Sequence, residues 1–150
     1  MTDDEDYRQA KVYALKRLSS KSYLTKELRD SMLRKEFLPE HVERILNECR
    51  ELGYLNDDEW LDAFVRGQIS KKRGPKAIAA KLFQKGISRD KIQTIVTSLN
   101  EDHSQADGIR LLLKTKYKNK NLSDYQEKQK VIASLARRGY DFDEILAALN

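Results

Sequence analysis

The stretch KAIAAKLFQKGISRDKIQTIVTSL, residues 76–99, decides how this chain folds. Ile78 and Leu82 stand four positions apart, so they share one face of a helix. Gly86 follows where a left-handed residue ends that helix without a steric penalty. Ile87 is then the apolar residue that packs back on the corner. Ser88 caps the next helix, whose apolar stripe is Ile92, Ile95, Val96 and Leu99. The reading is helix, small residue, helix.

The same pattern occurs twice more, and internal repetition of this kind outweighs any local propensity. In residues 26–49, Leu28, Met32, Leu33 and Phe37 fall on Ile78, Leu82, Phe83 and Ile87, and Val42, Ile45, Leu46 and Cys49 fall on the second stripe. Toward the C-terminus, Val131, Leu135, Arg138-Gly139-Tyr140, Ile145 and Leu149 repeat it again. There Asp141 with Glu144 has capping-box spacing. The first copy departs from the others: Glu36 stands where glycine is expected, and Pro39 occupies a first helical position.

Each helix pair is preceded by a third helix. Ala10 to Leu18 is one, with Ala14, Leu15 and Leu18 facing inward. Asp57 to Ile69 is the second, opened by Asn56 with Glu59 and carrying Trp60, Leu61, Phe64 and Val65. Ala106 to Tyr117 is the third, with Ile109, Leu112 and Leu113. The polar stretch Lys118 to Asp124 reads as a longer loop. The expectation is an all-α chain of nine helices in three tandem three-helix repeats, residues 1–55, 56–100 and 101–150, stacked as an array. No alternating run flanked by hairpin turns supports strands.

The composition narrows the function. The chain has 150 residues, with 29 Lys plus Arg against 24 Asp plus Glu, a net charge of +5. Residues 1–60 carry 11 basic and 14 acidic side chains, residues 61–98 carry 9 and 2, and residues 99–150 carry 9 and 8. The middle segment, at +7, therefore holds more than the whole surplus, which favours an anionic partner: nucleic acid or an acidic protein surface. A solvated lysine face explains such a surplus too. One cysteine excludes an internal disulfide and a multi-thiolate metal site. The absence of a long apolar run argues against a membrane span, and the acidic start resembles no leader, so the expected address is cytoplasmic.

Within that basic segment the candidate contacts are Arg66, Lys71, Lys72, Arg73, Lys76, Lys81 and Lys85. Gly74-Pro75 opens a helix, so the cations before it lie beside a helix N-terminus, where free N–H groups can hold a phosphate or carboxylate. A secondary cluster, Lys114, Lys116, Lys118 and Lys120, surrounds Tyr117, which can stack on a base or anchor the loop; the anchor is the preferred reading. Arg137 and Arg138 suit the end of the helix before Gly139. Tyr54, Trp60 and Phe64 at helical spacing read as packing residues, and Cys49 as a small buried hydrophobe. Asp57-Asp58-Glu59 suits a helix start. His41 and His103 have no paired metal-ligand spacing, and no nucleophile elbow, phosphate loop or dinucleotide fingerprint occurs. Neither an enzyme, a cofactor nor a metal is expected.

Gly53-Tyr54-Leu55-Asn56-Asp57, then Trp60, Phe64-Val65-Arg66, Arg73-Gly74-Pro75 and Lys85-Gly86-Ile87, resemble in order and spacing the RecX family of recombination regulators. Gln129-Lys130, Leu135, Arg137-Arg138-Gly139-Tyr140 and Ile145 resemble its third repeat. The resemblance implies a curved, elongated body of three three-helix repeats that binds the RecA recombinase filament on DNA. It implies inhibition of recombinase, ATPase and coprotease activities in DNA repair and the SOS response. It also implies a monomer, with direct DNA contact in some members. Two rivals stand beside it: a helix-turn-helix-like DNA-binding module acting without RecA, and a helical scaffold for another protein.

Overall fold

The computed structural model describes residues 2–150, and every described element is helical. The helices are α1 (Asp3–Ser20), α2 (Thr25–Arg34), α3 (Pro39–Glu51), α4 (Asp57–Ser70), α5 (Pro75–Gln84), α6 (Arg89–Asp102), α7 (Gln105–Lys114), α8 (Tyr125–Arg137) and α9 (Phe142–Leu149). The chain divides into two compact units, one running to Phe64 and one from Val65 to Asn150. None of these helices is long and apolar enough to cross a membrane.

In the first unit, α1, α2 and α3 enclose Ala10, Ala14, Leu28, Met32, Val42, Ile45, Leu46 and Cys49. The helix-face spacing is as the sequence sets it, with one correction. Leu15 is exposed, and the inward face of α1 is made by Ala10 and Ala14, whose small side chains let the neighbouring helices approach. Helix α1 also starts earlier than expected: the Thr2 hydroxyl accepts from the Glu5 N–H at 3.2 Å, and four acids occupy the first turn.

The helix ends in this unit are held by carboxylates from elsewhere. Asp6, buried in α1, accepts the Leu38 N–H at 3.1 Å and His41 Nδ1 at 2.7 Å, so it caps α3, where neither Leu38 nor Pro39 can. The His41 contact, then the Leu38 N–H, holds the Asp6 carboxyl below its usual range. Asp57 does the same for α2: its Oδ1 accepts from the Thr25 N–H at 2.8 Å and the Thr25 hydroxyl at 3.0 Å.

In the second unit, α7, α8 and α9 enclose Ile109, Leu112, Tyr117, Val131, Ile132, Leu135, Tyr140 and Ile145. Ile78, Leu82, Ile92 and Leu99 are the buried apolar residues of α5 and α6. Gly86 and Gly139 take φ of 84° and 98°, the left-handed corners that the repeat requires. Glu36 takes φ of 64° at the matching position, so the first corner keeps its geometry without glycine. Ser88 and Asn56 cap as expected, accepting from the Lys91 and Glu59 N–H groups at 3.2 Å each. Asp141 does not: its side chain makes no cap bond to α9. Instead Asp141 and Gln105 pair reciprocally, Gln105 Nε2 donating at 3.1 Å and the Asp141 N–H donating back to Gln105 Oε1 at 2.9 Å.

Candidate basic interface of the middle repeat

The basic segment is organised around the turn between α4 and α5. Helix α4 ends in a corner with Lys72 at φ of 58°; the Lys72 N–H donates to the Ile69 carbonyl at 2.9 Å and the Arg73 N–H to the Gln68 carbonyl at 3.1 Å. A lysine in this conformation costs about 1–2 kcal/mol relative to a right-handed one. Its surroundings hold it there. Tyr140 Oη donates to the Lys72 carbonyl at 3.0 Å, and Arg138 Nη1 donates to the Lys71 carbonyl at 2.9 Å. Arg138 therefore satisfies carbonyls at the end of α4 and not those of its own helix, a long-range role that its place before Gly139 did not signal.

The next two residues lock the turn to the third repeat. The Gly74 N–H donates to the Arg138 carbonyl at 2.7 Å, and the Lys76 N–H donates to the Gly139 carbonyl at 3.0 Å. The backbones meet so closely that a Cβ on Gly74 would lie 2.3 Å from the Gly139 carbonyl carbon, and one on Gly139 would lie 2.3 Å from the Ala77 nitrogen. This corrects the expected anion cradle. Pro75 has no N–H, and the N–H groups of Gly74 and Lys76 are occupied by carbonyls. What the turn offers an anion is side-chain charge on a rigid backbone, not a helix N-terminus.

The seven candidate cations are thereby separated. Lys71 and Lys76 are exposed beside the locked turn, and Lys72 is half-buried at its apex. Lys76 Nζ lies 3.8 Å from Asp141 Oδ1, a loose surface pair that leaves most of its side chain in solvent. Arg73 is half-buried and lines a cleft of about 310 Å³ together with Ile69, Ile78, Leu99 and Tyr140. Arg66 is exposed on α4. Lys81 lies farther along α5, where its Nζ donates to Oε1 of the buried Gln68 at 3.2 Å. Lys85 closes α5 as its C-terminal cap.

The secondary cluster resolves differently for its cations and its ring. Lys114, Lys116, Lys118 and Lys120 are exposed. Tyr117 is only 5% exposed, and its hydroxyl hydrogen-bonds Ser134 Oγ at 2.5 Å. It is a loop anchor with no face for a base. Tyr54 corrects the packing expectation, since it is exposed, whereas Trp60 and Phe64 stack on each other with ring centroids 5.1 Å apart. Cys49 is buried, and that burial raises its thiol pKa. Asp3, Glu40 and His41 bring potential ligand atoms within 4.8 Å of one another, a juxtaposition invisible to local spacing, but His41 Nδ1 is engaged by Asp6.

Comparison with known proteins agrees with this architecture. The three-helix domains described for RecX match in order: the first over residues 10–49, the second over 56–94 and the third over 105–149. Regulatory protein RecX of Bacillus subtilis (strain 168) is 30% identical over 138 residues, which are 91% of this chain and 52% of that protein. Regulatory protein RecX of Legionella pneumophila (strain Corby) is 32% identical over 136 residues, 88% of this chain and 87% of that one. The chain thus spans about half the length of its Bacillus and Listeria relatives, 52% and 51%, but most of the Legionella one. The crystal structure of RecX from Lactobacillus salivarius superposes with a TM-score of 0.77 at 25% identity, covering 97% of this chain and 96% of the other. Three repeats in register, a relative matched nearly end to end and a shared fold place this chain in the RecX family of regulatory proteins.

Proposed function

We propose that this chain regulates the RecA recombinase by binding its filament on DNA, limiting recombinase, ATPase and coprotease activity in DNA repair and the SOS response. It acts in the cytoplasm as a monomer, without catalysis of its own, through the repeats 1–55, 56–100 and 101–150. The observation that carries the reading is the locked turn: Lys71, Lys72 and Lys76 project from a backbone fixed by five hydrogen bonds to Arg138, Gly139 and Tyr140. Because the backbone is already fixed, meeting an anionic surface orders only the lysine side chains, so their charge favours the complex without a further cost of ordering the turn. Inhibition follows from differential affinity, because a module that binds one filament state more tightly shifts the population toward it.

The test is charge reversal of Lys71, Lys72 and Lys76 to Glu together, followed by measurement of RecA-driven ATP hydrolysis on single-stranded DNA. The variant keeps its helical circular dichroism and inhibits less, with the difference shrinking as salt rises. Undiminished inhibition by a folded triple variant removes the turn from the mechanism. Titration of DNA without RecA gives the contrasting outcome: tight, sequence-specific duplex binding by the chain alone would favour a plain DNA-binding module.

A further inference from the structure

The cleft lined by Arg73 holds a buried donor without an acceptor among the described residues. Arg73 Nε is buried from solvent and has no hydrogen-bond partner, and among the described residues no carboxylate lies within ion-pair distance of its guanidinium. Its side chain is otherwise half-exposed, so the cost falls on that one buried N–H, and it is relieved when an acceptor reaches it. The walls beside it are apolar: Ile69 from α4, Ile78 from α5, Leu99 from α6 and Leu111 from α7. The volume of about 310 Å³ suits one or two side chains rather than a folded element.

Acids on the same cleft decide which anion fits. Asp102 and Asp107 also line it. Asp107 is paired with Arg110 at 2.5 Å, and Asp102 receives the Ser98 hydroxyl at 3.3 Å. Lys72 and Arg73 set two cations against these two acids in the lining, a balance that suits one carboxylate at the guanidinium better than a polyanionic backbone.

We propose that this cleft is an anchor socket for a partner protein: it takes a peptide segment whose aromatic or aliphatic side chain enters against Ile69, Ile78 and Leu99 while an adjacent carboxylate pairs with Arg73. The partner is defined by that chemistry alone, so the inference stands or falls independently of RecA.

Isotope-edited NMR on the full chain tests it with three probes: acetyl-Phe-Glu-Phe-amide, its Gln counterpart, and thymidine monophosphate. The Glu peptide produces saturable shifts at Arg73 Nε–H and at the methyl groups of Ile69, Ile78 and Leu99. The Gln peptide binds about tenfold more weakly, the usual consequence of losing a charge-assisted hydrogen bond. Arg73→Gln abolishes the preference for Glu over Gln, and Leu111→Glu weakens the Glu peptide by adding a like charge at the rim. Equal binding of the two peptides by the wild-type chain, or shifts located elsewhere, overturns the proposal without any variant having to fold. Preferential binding of thymidine monophosphate also overturns it, because the cleft would then be a nucleotide site.

Discussion

The first and middle repeats place the same sequence positions in different surroundings. On the second stripe of the first repeat, Ile45 and Leu46 are fully enclosed; at the matching positions of the middle repeat, Ile95 and Val96 are only half-buried. In the second helix, the first repeat uses Ser31, bonded to Tyr13, and the third repeat uses Ser134, bonded to Tyr117. The middle repeat puts Lys81 there, bonded to Gln68. A position that closes the core in the outer repeats thus carries a cation in the middle one. The middle repeat compensates through its backbone, which is joined to the third repeat at Gly74 and Gly139. The difference teaches that repeated spacing does not imply repeated energetics: the first copy encloses its second stripe fully, and the middle copy adds its neighbour's main chain to a looser one.

Breaking that joint is the severest test of the contrast. Gly139→Ala combines a left-handed backbone with overlap onto Ala77 and should cost about 4 kcal/mol in denaturant unfolding. Gly74→Ala has ordinary φ but meets the Gly139 backbone, and about 3 kcal/mol is expected. Gly67, inside α4 with open space around it, is the control: Gly67→Ala should stabilise by about 0.5–1 kcal/mol.

The stripe comparison is next in size. Leu46→Ala should cost about 3 kcal/mol, as fully enclosed leucines do, and Val96→Ala about 1 kcal/mol. Equal losses would mean that the middle repeat is as tightly enclosed as the first. Removing one hydroxyl by Tyr117→Phe should cost about 1 kcal/mol, whereas the exposed Lys81→Ala should stay within about 0.5 kcal/mol.

Much of this was legible from residue spacing, and what was not has a common cause. The faces carrying Ile78 with Leu82, or Val131 with Leu135, and the corners at Gly86 and Gly139, follow from local rules that a single helix pair obeys. Glu36 escaped those rules because composition marks where a left-handed residue is easy, not where surrounding packing imposes one. Replacing it tests this: Glu36→Gly should stabilise by about 1 kcal/mol, measured against the same denaturant. The Asp6 cap on α3, the Asp57 cap on α2 and the meeting of Gly74 with Gly139 join residues far apart in sequence. No period announces such contacts. The candidate cations were legible as a charge surplus, but their division into a locked turn, a cleft guanidinium and an α5 lysine was not.

The smallest expected effect concerns acid. Hydrogen bonds from His41 to Asp6, Arg29 to Glu43 and Tyr7 to Glu48 hold these three carboxyls below their usual range. A group depressed in the folded state stabilises above its unfolded pKa and loses that contribution as pH falls through the folded value. The first unit should therefore weaken as pH drops below about 4, seen as lower amide protection factors in α1 and α3 once the intrinsic pH dependence of exchange is divided out.

The meeting of bare main chains at Gly74 and Gly139 also constrains how such a protein could grow or shrink. Stacked helical modules often tolerate gain or loss of a copy, because their seams are greasy and forgiving. Here each side of the seam is shaped for one opposite: cutting the gene after codon 100 would strand two amide hydrogens and two peptide oxygens, and splicing in an extra copy would need a fresh pair of glycines in register. The order of the middle and third modules is then fixed by stereochemistry at this one seam.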